Sequence, residues 1–186
     1  MSTVNKLEFL SDIRNRKTII IEAVVFQLLW FACVLGDTWV WVTAGILYSL
    51  FYVFLLKCSR YLVFIAVAGT LGVIVDYVKF STGAMQFSSG SFPVWLVGLW
   101  YIFVSSIPIA FSFLRGRYVL ASVLGGLGGM SSYFSASLLR SDVTFYFGEG
   151  LGLLPLALVW ALLMPTLLYT LERLEALDLK KSESVF

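Results

Sequence analysis

Residues 18–35 read TIIIEAVVFQLLWFACVL, and Glu22 is the one charged side chain among them. A run of about 20 apolar residues crosses a bilayer as a helix, because each backbone group left unpaired in hydrocarbon costs several kcal/mol. Five more such runs follow, at 38–56, 61–78, 93–114, 118–139 and 151–171. The whole chain agrees with them. Of its 186 residues 60% are hydrophobic and 13% charged, and its mean hydropathy is +0.92. That is too much apolar surface for one water-facing core, since a chain this short leaves much of its surface exposed. A soluble globular enzyme, a secreted disulfide scaffold and a disordered chain are excluded. The expected fold is all-α, a polytopic transmembrane helical bundle of six spans. Residues 1–17 are the expected N-terminal segment and 172–186 the tail.

Positive charge sets the expected orientation. With the N-terminus inside, the inner segments hold Lys6, Arg14, Arg16, Lys17, Lys57, Arg60, Arg115, Arg117, Arg173, Lys180 and Lys181. The outer segments hold only Lys79 and Arg140. Both termini are therefore expected in the cytoplasm. Trp39, Trp41 and Trp95 then fall at outer helix ends as an aromatic belt, while Trp30, Trp100 and Trp160 lie deeper, between helices. Seventeen mostly polar residues precede the first run, which fits a cleavable signal peptide poorly. Gly36 is expected to end the first helix in a left-handed turn and Asp37 to cap the second. Residues 4–10 read either as a short amphipathic helix on the inner leaflet or as a solvated tail. Leu174, Leu177 and Leu179 continue a helical spacing beyond the sixth run.

Several chemistries are closed to this chain. It has no histidine and two cysteines, which excludes histidine-held metal or haem, imidazole catalysis and a four-thiolate site. Cys33 and Cys58 fall near opposite ends of spans and are not expected to pair. The net charge of +2 is too small and scattered for a nucleic-acid surface. No lysine lies within a span, so a retinal Schiff base is excluded. No cofactor, metal or catalytic residue is expected.

Polar groups inside spans are few and informative. Glu22 sits near the inner boundary, within reach of Arg60 or Arg117. Gln27 lies at mid-membrane and needs a partner on another helix. Asp76 lies near the outer end of the third span, three residues before Lys79. Two readings stand side by side. In one, Glu22, Gln27 and Asp76 line an internal cavity. In the other they are an interfacial anion, an interhelical hydrogen bond and an exposed ion pair. Glu22 and Gln27 point well apart, because five positions turn a helix by about 500°. Ala23, Gln27, Trp30 and Val34 share a face, the expected bundle interior.

The fifth run carries Gly125, Gly126, Gly128 and Gly129, followed by Ser131 and Ser132. Gly125 and Gly129 form a small-residue ridge that lets a neighbouring helix approach closely. A helix broken at the glycines, with free amides lining a cavity, is the alternative. Pro108 and Pro165 are expected to kink their helices, and Pro155 is cheap in a first turn. Asp142 and Glu149 read as solvated loop acids. The candidate cavity residues are Glu22, Gln27, Trp30, Asp76, Trp100, Gly125, Gly126, Gly128, Gly129 and Ser132.

Residues 26–36, FQLLWFACVLG, resemble the opening of a bacterial membrane family catalogued as domain of unknown function 2878. Asp76, the stretch 93–100 (PVWLVGLW), the glycines of 124–129 with Ser132 and Tyr133, and Trp160 with Pro165 follow in the same order. Where such proteins tend to have a proline after the paired glycines, this chain has Met130. The resemblance implies a small bacterial inner-membrane protein, lipid-related, and supplies no reaction.

Three functions fit these expectations. The first is a non-enzymatic bundle that binds a lipid or small apolar molecule, or serves as an accessory subunit for another membrane protein or in a homo-oligomer. The second is a cofactor-free lipid-modifying enzyme using Glu22 or Asp76. The third is a small transporter with Gln27 and the glycine segment at a mid-membrane site.

Overall fold

The computed structural model describes residues 12–36, 39–56, 59–145 and 153–183. Six long helices make up the bundle among them: α1 (Arg16–Leu35), α2 (Trp39–Leu56), α3 (Ser59–Ser81), α4 (Val94–Ala110), α5 (Tyr118–Leu139) and α6 (Leu154–Glu183). Two three-residue strands, β1 (Met85–Phe87) and β2 (Val143–Phe145), complete the described elements. The fold is an all-α bundle, and each helix falls on one of the six apolar runs. Five of the helices are long and apolar enough to cross a membrane, while α4 is apolar but shorter.

Local chemistry sets the ends. Asn15 caps α1 by accepting from the Thr18 amide at 3.0 Å. Gly36 does end α1, but with φ −92° rather than in a left-handed turn, and its N–H bonds to Ala32. Gly116 is where positive φ is needed: at +67° it turns the chain between Arg115 and Arg117. The fourth apolar run is shorter as a helix than its sequence suggests. Pro108 lacks the N–H that the ladder requires, and the chain leaves the α-helix after Ala110 for a 3-10 turn, Ser112–Leu114. Its last turn is closed from outside, as Arg14 Nε donates to the Pro108 carbonyl at 3.1 Å. By contrast α6 runs on past residue 171 to Glu183 with Pro165 inside it. Residues 4–10, Asp37, Cys58 and Glu149 lie outside the described residues.

The core is organised around α4. Every residue of α4 from Ile102 to Ala110 is buried, as are Trp95, Leu96, Gly98 and Trp100. A helix apolar on all sides belongs in the middle of a bundle, and α1, α2 and α3 all pack on it while α5 and α6 pair beside them. The α2–α4 crossing is backbone against backbone. A Cβ on Gly45 would come within 2.9 Å of the Gly98 carbonyl, and one on Gly98 within 2.7 Å of the Trp41 carbonyl. Ser105 Oγ then donates to Ser49 Oγ at 2.8 Å, a polar stitch between the same helices.

Both faces of the bundle are tied by polar groups. At one end β1 and β2 pair antiparallel, with Met85 opposite Phe145 and Phe87 opposite Val143. Met85, Phe87 and Val143 are buried beneath this ribbon. Arg140 anchors it: its Nε and Nη2 hold both Asp142 oxygens at 2.8 and 2.6 Å, and Nη1 donates to the Val34 carbonyl at 2.9 Å. Asp142 is thus a fork-bound partner of Arg140 and not a solvated loop acid. Hydrogen bonds from Arg140 hold its carboxyl below the usual carboxylate range. Trp95 departs from the aromatic-belt expectation for the same reason. It is 3% exposed, covered by the ribbon and by the Arg140 guanidinium 5.1 Å above its ring. Trp39 is 72% exposed.

At the opposite end Glu175 gathers Arg14 Nη2 at 2.6 Å, Arg115 Nη2 at 2.8 Å and the Tyr61 hydroxyl. Burial pushes the Glu175 carboxyl up, and Arg115 with Arg14 outweigh it, so that it titrates below the ordinary 4.5. Next to it, Glu172 accepts from the Gly116 amide at 3.0 Å.

Candidate functional site

A helical stripe on α5 and another on α1 face each other without closing. On α5 the stripe is Leu124, Gly128, Ser131, Ser135 and Leu138, spaced four, three, four and three. On α1 it is Ala23, Gln27 and Trp30. Between them lies a cleft of about 710 Å³, floored by Phe103, Trp160 and Met164. Its wall on α5 runs from Leu124 to Leu139, about 22 Å at 1.5 Å per residue, most of a bilayer's hydrocarbon thickness. The mouth is open to the side: Gln27 and Gly128 are exposed, as are Phe31, Phe113 and Leu138. Only the C-terminal half of the shared α1 face is interior, since Trp30 and Val34 are buried and Ala23 and Gln27 are not.

Gln27 carries the chemistry of this cleft. It was expected to bond to a neighbouring helix, yet its amide makes no hydrogen bond among the described residues. An amide in hydrocarbon without a partner is costly. Ser131 donates to its own Gly128 carbonyl at 3.0 Å, and Trp30 Nε1 donates to Ser132 Oγ at 2.8 Å, joining α1 to α5 at the back of the cleft.

The glycines of α5 divide by face. The helix is continuous from Tyr118 to Leu139, so the broken-helix alternative is set aside. Gly129 is pressed on α6, where a Cβ would sit 2.0 Å from Trp160 Cγ, and Gly125 would meet Met164 Cβ at 2.4 Å. Gly126 packs against Ala157 and does not line the cleft. Gly128 has nothing within 4 Å of a built Cβ and looks into the cleft.

Asp76 is neither exposed nor in the cleft. It is fully buried, and the surface ion pair with Lys79 becomes one spoke of a hub. Lys79 Nζ reaches Oδ1 at 2.9 Å, Trp100 Nε1 donates to Oδ2 at 2.7 Å, and the Tyr133 hydroxyl lies 2.6 and 2.8 Å from the two oxygens. The three donors come from α3, α4 and α5 and together meet both carboxylate oxygens. Glu22 is also buried and accepts from the Tyr48 hydroxyl on α2. Neither acid shares a hydrogen-bond partner with the other. Sequence reasoning overlooked Tyr133 as a partner of Asp76, although its four-residue spacing from Gly129 and Gly125 puts it on the α6-facing stripe.

A second, smaller space lies behind the cleft. It measures about 50 Å³ and is lined by Trp95, Trp100, Tyr133 and the ribbon residues Met85, Phe87 and Val143. Trp30, Ser132, Phe26, Phe103 and Trp160 line both spaces. Of the expected cavity residues, then, Gln27, Trp30, Gly125, Gly128, Gly129 and Ser132 line the cleft, and Trp100 the inner space. Among the described residues no three acids and cysteines group to hold a metal ion.

No curated protein and no solved structure matches the chain. Residues 19–166 match the model of a family described as "Protein of unknown function (DUF2878)". With most of its length inside that match, and helices suited to an integral membrane protein, the chain belongs to the DUF2878 family.

Proposed function

We propose that this protein is a six-span protein of the bacterial inner membrane that binds, without catalysis, a lipid or similar apolar molecule in the cleft between α1 and α5. One observation carries the reading: the unpartnered Gln27 amide faces a laterally open cleft of about 710 Å³, within the size range of small-molecule sites. The opening faces the side of the bundle, where lipid is the solvent, so a ligand enters from the bilayer. Catalysis is disfavoured because Glu22 and Asp76 are absorbed by Tyr48 and by the Trp100–Tyr133–Lys79 hub, away from the cleft lining. The charge asymmetry of eleven basic residues against two supports a cytoplasmic position for both termini. Reporter tags at the two ends test that orientation and must be found on the same side.

Native mass spectrometry of gently extracted protein tests the binding. The wild type retains an adduct of lipid mass. Gly128→Leu, which fills open cleft space, loses it, and Gln27→Leu lowers its occupancy about fivefold, the worth of one hydrogen bond. Gln27→Leu melts at the same temperature or higher. A wild type without an adduct, or an adduct unchanged in both variants, overturns the reading. A bound protein subunit in place of a lipid adduct would favour the accessory role.

A further inference from the structure

We infer that the lipid of the cleft is an anionic phospholipid, its phosphate headgroup held by Arg16 and Arg117 where α1 and α5 begin. The inference rests on the lipid-binding reading above and adds the headgroup chemistry and its place. Both arginines continue the stripes that wall the cleft. Arg16 lies seven residues before Ala23 on α1, and Arg117 seven before Leu124 on α5. Seven residues make close to two helical turns, so each arginine stands on the cleft-facing side, about 10 Å beyond the lining. Ile20 and Leu120 occupy the same two sides in between and are exposed, which continues the apolar track for a chain.

Glu175 brings the two helix starts together. Its carboxylate binds Arg14 Nη2 at 2.6 Å and Arg115 Nη2 at 2.8 Å. Arg16 and Arg117 each follow one of those residues by two positions, at most about 7 Å of chain. The clamped pair has its counter-charge, whereas Arg16 and Arg117 are exposed and make no hydrogen bond or ion pair among the described residues. Glu172, the neighbouring acid on α6, already accepts from the Gly116 amide and the Tyr118 hydroxyl. In addition, α5 opens with no side-chain cap and no acid in its first turn, so its positive end adds to the same field. Paired guanidinium groups suit phosphate oxygens, which they bind through charge-assisted forks. Long side chains at helix ends reach the headgroup layer, so the anion stays at the water boundary while its chain lies in the cleft.

Lipid exchange onto the full-length protein in detergent, read by native mass spectrometry, tests this with phosphatidylglycerol and phosphatidylethanolamine of identical chains. The wild type binds the anionic lipid about tenfold more tightly than the zwitterionic one, the worth of one charge-assisted contact. Arg16→Gln and Arg117→Gln each lower that preference several-fold, and the double variant loses it while binding phosphatidylethanolamine as before. Lys17→Gln is the control. It removes the same charge at the same end, but from the side shared with the exposed Ile21, Val24 and Leu28, and it keeps the preference. The order of the two lipids on the wild type stands as evidence even if a variant fails to fold. No preference in the wild type, a preference that survives in the folded double variant, or an equal fall in Lys17→Gln overturns the inference and leaves the cleft reading intact. Inorganic phosphate that binds as tightly as the anionic lipid also overturns it, by showing a site for a free anion. If neither lipid binds, the cleft reading fails, and this inference with it.

Discussion

Asp76 on α3 and Trp100 on α4 are joined by a 2.7 Å hydrogen bond from the indole nitrogen to Oδ2, and the same indole lies nearly parallel to that of Trp160, 5.4 Å away. One carboxylate thereby positions a ring that α6 packs upon. Tyr133, from α5, bonds to the same carboxylate, so four helices meet through Asp76.

Removing the centre of this hub costs more than removing a spoke. Asp76→Ala leaves Lys79 partly buried without its counter-charge and should lower stability by about 3–5 kcal/mol. Tyr133→Phe deletes only hydroxyl bonds and should cost about 1 kcal/mol. Thermal unfolding in detergent ranks the two. Equal losses would show that the carboxylate is not the organising group.

The neighbouring glycines of α5 predict opposite signs. Gly129→Ala drives a methyl group to 2.0 Å from Trp160 Cγ and should destabilise by about 1–3 kcal/mol through overpacking. Gly128→Ala meets open space and should stabilise by up to about 1 kcal/mol through helix propensity. Melting temperatures that fall together would contradict the assignment of the two faces.

Acid should loosen the end of the bundle that Glu175 ties. The Glu175 carboxyl is held below its ordinary 4.5 in the folded protein. Its contribution is therefore fully present above about pH 4.5 and is lost as pH falls through the lower folded value. Glu175→Gln should be less stable at neutral pH and should lack that part of the acid-induced loss. A pH–stability curve for the variant that parallels the wild type below pH 4.5 would refute this.

The ribbon depends on Arg140. Arg140→Ala removes the fork on Asp142 and the bond to Val34, leaving a two-stranded pair that is marginal by itself. Hydrogen exchange at the β1 and β2 amides should quicken while the amides of α4 stay protected. Uniform loss of protection would indicate global unfolding instead.

How much of this was legible beforehand follows from physical range. The helices were, because hydrocarbon demands long apolar runs and each run carries its own signal. The tight α5–α6 contact was also visible in the spacing of Gly125 and Gly129. The ribbon was not, since strands of three residues have too little periodicity to register. Asp76 was misjudged because Lys79, three residues on, offered a complete local explanation, while Trp100 and Tyr133 reach it from other helices. Trp95 was misjudged similarly: its place at a helix end suited an interfacial belt, and only the cover supplied by the ribbon and Arg140 buries it. Gln27 was recognised as needing a partner, but that the described residues supply none depends on how far apart α1 and α5 stand.

The enclosure of α4 bears on how bilayer thickness acts on this protein. At 17 residues it reaches about 25 Å, short of the roughly 30 Å hydrocarbon layer. A lipid-facing helix of that length would strain the membrane around it by mismatch. Ringed by other helices, with Arg14 at one end and Trp95 under the ribbon at the other, α4 presents almost nothing to acyl chains. A thicker or thinner membrane therefore presses on the longer helices around it, and their tilt adjusts while the axis they surround keeps its length.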